Sequence, residues 1–174
     1  YSRNIFSFRW SNAEREAIGL YEIVFNNTNK KDEAYYINTN QSFAFADGVV
    51  TASFGSATAK AHADANATDS DGNDLDPVVV IPGLKTNKIK IVKAQAATIL
   101  QETDWYIVRK ADADTAIPSA ITTYRAAVRT KAAAMETLIT NASNTPAIET
   151  LYIYVNTADE GDPVVMERPL GEFP

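Results

Sequence analysis

The chain has 174 residues, a net charge of −6 and no cysteine, which excludes a disulfide framework, a thiol nucleophile and any thiolate metal site. The single histidine, His62, leaves too few imidazoles for a zinc or iron centre, and the acidic balance repels the phosphate backbone of nucleic acids. Hydrophobic residues make up 45% of the chain, which suits a packed core in one domain or two small ones, yet no apolar run approaches the roughly 20 residues that cross a bilayer.

The opening Tyr1-Ser2-Arg3-Asn4 lacks the basic-then-apolar pattern of a secretory leader. Without an initiating Met the chain reads as processed or truncated. Phe6, Phe8 and Trp10 alternate with Ser7 and Arg9, the period-2 pattern of a half-buried strand. Ser11 with Glu14 three residues on is a capping-box signature, and Gly19 suits the position after a helix end, so a short helix is expected over 12–18. Strands are expected over 20–25 and 34–38, joined through the polar turn 26–32 as a hairpin. Asp47-Gly48 between 42–46 and 49–54 predicts a second hairpin.

Alternating alanine and polar residues over 57–67 fit either an extended strand or a weak helix. Asp69-Ser70-Asp71-Gly72-Asn73-Asp74 has the look of a calcium loop, but the position that needs glycine holds Asp74 and the one that needs glutamate holds Val80. The segment is therefore read as a solvated acidic turn. Residues 78–81 and 88–92 read as two further strands about a turn at Pro82-Gly83.

From there the chain turns helical. Residues 93–100 are alanine-rich, Thr103-Asp104 offers a break and a cap, and 105–109 fit either a last turn or a short extended piece. A long helix is expected over 119–141, its seam formed by Ile121, Tyr124, Val128, Met135 and Leu138 with Lys131 interrupting it. Asn144-Thr145-Pro146 ends it, 151–155 reads as a short strand, and 159–174, with three prolines, as an extended arm with few core positions. The fold class expected is α+β: an antiparallel β-rich portion over 1–92, a helical hairpin over 93–142, and a strand and extended arm over 143–174.

Motifs for chemistry are missing. The seven glycines stand singly, so no phosphate-cradling loop is present, and no Gly-x-Ser-x-Gly elbow accompanies His62. No catalytic, cofactor-binding or metal-binding residue is assigned. The densest aromatic and basic group is Asp104, Trp105, Tyr106 and Arg109 with Tyr124, Arg125 and Arg129. Trp105 and Tyr124 are expected to pack the helices together, with Asp104 capping or pairing with Arg125. Together with Trp10 these are the candidate interface and hairpin-packing residues, and stacking on a sugar or a partner is the functional alternative.

The stretch Leu100-Gln101-Glu102-Thr103-Asp104-Trp105-Tyr106, followed by Ile117-Pro118 and by Tyr124-Arg125-Ala126-Ala127-Val128-Arg129, resembles a module recurrent in tail proteins of tailed bacteriophages. Ile18-Gly19-Leu20-Tyr21-Glu22-Ile23-Val24 and the segment from Gly161-Asp162-Pro163 to Arg168-Pro169 are similar to other parts of the same proteins. The resemblance implies a structural tail component in the virion, in the baseplate, at a fibre attachment or decorating the tail. Its partners would be other tail subunits and copies of itself, with no nucleic acid, membrane or cofactor. A tail-fibre assembly chaperone and a receptor- or glycan-binding tail module remain open as alternatives. The resemblance brings no catalytic residue with it.

Overall fold

The computed structural model describes residues 10–174, so of the expected first strand only Trp10 lies within the described residues. The protein is α+β, and it divides into two compact units, Tyr1–Ala59 and Lys60–Pro174. The first long helix begins at Leu84, well before residue 93.

In the first unit Ser11 caps α1 (Asn12–Glu16) through the expected box: the Ser11 hydroxyl accepts from the Glu14 N–H while the Glu14 carboxylate accepts from the Ser11 N–H. Gly19 follows at φ +79°, as a helix end favours. Next come β1 (Ile23–Asn26), β2 (Tyr36–Ile37), β3 (Ser42–Ala46), β4 (Val49–Ser53) and β5 (Thr58–Ala59). Asp47 and Gly48 both take positive φ, +49° and +77°, so the tight hairpin between β3 and β4 forms as expected.

The first expected hairpin does not form. β1 pairs with β4, and in parallel, while β2 pairs antiparallel with β5. Two side-chain amides take over the local hydrogen bonds that a β1–β2 ladder would have used. Asn26 Oδ1 accepts from the Thr28 N–H and hydroxyl, and Asn38 bonds both the N–H and the C=O of Lys31. Tyr35 and Tyr36 are instead buried.

The second unit opens with β6 (Ala65–Asn66) and β7 (Val80–Ile81), paired antiparallel around the acidic turn. There the Asp69 carboxylate accepts from the N–H groups of Asp71 and Asn73, which makes a self-closed turn of the segment. The helices follow: α2 (Leu84–Gln101), α3 (Asp104–Ala113), α4 (Ser119–Asn141) and α5 (Thr145–Tyr152), then β8 (Val155–Asn156) and β9 (Met166–Glu167), paired antiparallel.

Residues 88–92, expected as a strand, lie inside α2. Lys88-Ile89-Lys90-Ile91 alternates like a strand over too few residues to decide, and the wider spacing Leu84, Val92, Ala96 settles it as one helix face. Likewise 105–109 belongs to α3, and 151–152 closes α5, whose start Asn144 caps by accepting from the Ala147 N–H.

α2 and α4 run antiparallel, since Lys85 bonds the Thr140 carbonyl, Lys93 pairs with Glu136 and Arg125 reaches Leu100. Their core is Val92, Ala96, Val128, Ala132, Met135 and Ile139. The α4 seam is thus rotated from the expected one: Ile139 is buried and Leu138 is exposed. α3 stands between the two, making three successive helices where a plain hairpin was expected. The C-terminal segment is no free arm. Leu170, only 2% exposed, joins the same core, its N–H donates to the Leu151 carbonyl, and Phe173 packs alongside.

Candidate functional site

The motif residues converge at the α2–α3 junction. A helix end leaves carbonyls without partners, and at the end of α2 the Leu100 carbonyl accepts from several donors, the Glu102 N–H among them. The Thr103 N–H donates to it at 3.1 Å and the Thr103 hydroxyl at 3.0 Å. Arg125, from α4, donates to it through Nη1 at 2.7 Å. The same Nη1 donates to the Thr103 hydroxyl oxygen at 2.6 Å, and Nη2 to Asp104 Oδ1 at 2.8 Å. Arg125 is buried while Asp104 is half exposed. Asp104 opens α3, where a negative charge also suits the positive helix end. The expected Asp104–Arg125 pair is therefore present, as part of a clamp that closes one helix and starts the next.

Trp105 is not a core residue. It is 51% exposed on α3, a helix with no buried side chain, so it does not pack the helices together. Asp104 and Arg125 set the start of α3 one residue earlier, and the residues facing the core come from α2 and α4. The Trp105 ring lies 3.8 Å from that of Tyr106, tilted by 32°. The Arg109 guanidinium covers both rings, at 4.7 Å from Trp105 and 5.4 Å from Tyr106. Arg109 Nε is buried and has no hydrogen-bond partner. Val108, one turn from Trp105, is also exposed. The result is an aromatic and cationic platform at the surface, held from below by the clamp.

Tyr124 packs partly buried against the α2–α4 core, as expected. In Tyr-Arg-x-x-Val-Arg, Val128 belongs to the core and Arg129 is exposed. Trp10, half-buried at a bend before Ser11, belongs to the other unit and joins none of these residues in one unit.

Two further constellations had no local mark in the sequence. The Asp64 carboxylate accepts from the Gly83 N–H at 2.8 Å, while the Leu84 and Lys85 N–H groups donate to the Ala61 and His62 carbonyls. Residues 61–64 thereby satisfy the first N–H groups at the start of α2, 19 to 23 positions away in sequence. The Gly83 N–H, helped by the Thr86 side chain, holds the Asp64 carboxyl below the usual range. His62 sits beside this cap, which is a structural role for its segment. The second is at the tail, where Arg168 pairs with Glu172 at 2.7 Å and lies over Tyr152 and Tyr154. Burial pushes the Tyr152 hydroxyl up, against the pull of Arg168, and the bond that the Tyr154 hydroxyl donates to Glu172 pushes Tyr154 up.

Among the described residues no group of three or more His, Asp or Glu side chains is placed to hold a metal ion, and no helix is long and apolar enough to cross a membrane. The arrangement suits stacking and hydrogen bonding. Compared with known protein families, curated proteins and solved structures, the chain matches none.

Proposed function

We propose that this chain is a structural component of a bacteriophage tail, in the baseplate, at a fibre attachment or decorating the tail, and that it works through contacts with other tail subunits and copies of itself in the virion. The observation that carries the reading is the surface platform in which exposed Trp105 is backed by half-buried Tyr106 and Arg109. Tryptophan, tyrosine and arginine are the side chains that dominate binding energy at protein interfaces. Here a buried guanidinium, Arg125, fixes the helix that displays them, so the platform is preorganised and little ordering entropy opposes binding. The motif resembling phage tail modules supplies both the clamp and the platform.

An exposed indole also suits stacking against a sugar ring, which favours a glycan-binding tail module as the second reading. One experiment separates the readings. The chain is quantified by mass spectrometry in purified particles, with and without Trp105→Ala in the phage genome. The expected result is a stoichiometric virion protein whose incorporation falls at least tenfold in the variant, while the isolated variant melts within a few degrees of the wild type. Absence from the particle supports an assembly chaperone instead. Normal incorporation with lost adsorption supports glycan binding, and turnover of an envelope polysaccharide by the purified chain overturns all three.

A further inference from the structure

A β-sheet with one apolar face needs a second layer to cover it. In the first unit the register of the sheet β1-β4-β3 sorts its side chains without ambiguity. Phe25, Ala52 and Phe43 lie in one row, and Ile23, Val50 and Phe45 in the next, all on the same face. The opposite face carries Val24, Thr51 and Ala44, then Asn26, Ser53 and Ser42. The large side chains of the apolar face stand open: Phe25, Phe43 and Phe45 are 60%, 60% and 59% exposed and Ile23 is exposed beside them, while Ala52 between the rings is buried, Val50 is half-buried and the Tyr21 ring lies 4.6 Å from that of Phe45. Among described residues 10–59 the buried hydrophobics are Tyr35, Tyr36 and Ala52, and α1, five residues long, has no buried side chain to offer as a cover.

We infer that this face, built by Ile23, Phe25, Phe43, Phe45 and Val50, is where a second copy of the chain docks, sheet against sheet. The inference rests on the reading that the chain works through contacts with its own kind, and it names the surface. Two observations select a second copy. At about 200 Å² per phenylalanine the three rings expose about 350 Å², and with Ile23 and the half-buried Val50 at most about 500 Å², so that two such faces bury up to about 1,000 Å², the lower limit for a specific interface. The face itself carries no charge, and residues 1–59 hold five basic against six acidic side chains, a net of −1 out of the chain's −6. Two copies of this unit therefore meet with little repulsion, and an uncharged face is complementary to itself across a twofold axis.

The test uses the full chain in sedimentation equilibrium over a range of concentrations. A monomer–dimer equilibrium is expected, which sulfate tightens, as apolar burial requires. Phe43→Asp should raise the dissociation constant at least tenfold, and Ala44→Asp, on the other face of the same strand, should leave it within twofold. Because a buried charge can also unfold the sheet, a second arm avoids it. With no native cysteine, Val50→Cys and Thr51→Cys place one thiol on each face of the central strand. A bis-maleimide spanning about 10 Å, the spacing of packed sheets, should link copies of Val50→Cys and spare Thr51→Cys. A chain that stays monomeric at every concentration overturns the inference, as does a dimer that links equally through both thiols. So does a monomer that pairs only after residues 1–9 are removed, which would assign the face to the chain's own Ile5, Phe6 and Phe8. A dimer through this face in a chain absent from virions would leave the inference standing and remove the tail reading.

Discussion

Replacing Arg125 by methionine tests whether the clamp works mainly by capturing a helix end or by pairing charges. The guanidinium makes three hydrogen bonds, to the Leu100 carbonyl, the Thr103 hydroxyl and Asp104. One-sided removal of a buried ion pair costs about 3–5 kcal/mol, because the partner stays buried and unpaired. Here the partner is half exposed and regains water, and the Leu100 carbonyl keeps both bonds from Thr103. The loss should therefore sit at the low end, about 3 kcal/mol, which at a typical urea slope near 2 kcal/mol/M is a midpoint shift of about 1.5 M. Asp104→Asn removes only the exposed pair and should cost about 1 kcal/mol or less. Both are read by far-UV dichroism, which follows the helices of the second unit. If Asp104→Asn costs as much as Arg125→Met, the ion pair dominates and the helix-end argument fails. A shift under about 0.5 M for Arg125→Met refutes the clamp altogether.

Leu170→Ala should cost about 2–5 kcal/mol, since the side chain is buried among α2 and α4 core residues; a free arm would show no change in the urea midpoint. Gly83→Ala should destabilise by about 3 kcal/mol in the same assay, because a Cβ there overlaps the Ala63 carbonyl and comes within 2.8 Å of the His62 oxygen, both backbone atoms that cannot swing away. Acid should unfold the chain through carboxylates held low: Glu14 by the Ser11 N–H, Asp64 by the Gly83 N–H and Asp69 by the Asn73 N–H. Their contribution is complete above the ordinary values, 4.5 for Glu14 and 3.8 for the two aspartates, and is lost as pH falls through the lower folded values. Thermal melting against pH should show that fall, and Asp64→Asn should flatten it.

What the sequence reveals here is what its neighbours decide. Ser11 and Glu14, Asp47-Gly48 and the 119–141 helix are all set by residues within a few positions of one another, and each forms as expected. The Asp104–Arg125 pair was also legible, since both ends flank recognisable helix boundaries. The parallel pairing of β1 with β4 was not, because register across 27 positions leaves no local trace. Nor was the role of Leu170, an apolar residue between a proline and a glycine, whose N–H donates to the distant Leu151 carbonyl. Trp105 illustrates the converse. Size and hydrophobicity argue for burial, but its neighbours Thr103 and Asp104 anchor the helix so that the core takes Leu100 and Tyr124 and leaves the indole outside.

The Arg125 fork also acts as a ruler for chain length. Its acceptors are spread over residues 100, 103 and 104, on two successive helices, so one inserted or deleted residue between Leu100 and Asp104 would displace at least one acceptor from reach. The connection from Asp114 to Pro118 carries no such gauge and its residues are mostly exposed. Length variation should therefore be tolerated after α3 and forbidden before it, which makes the second connection the place to graft a tag, a label or a foreign loop.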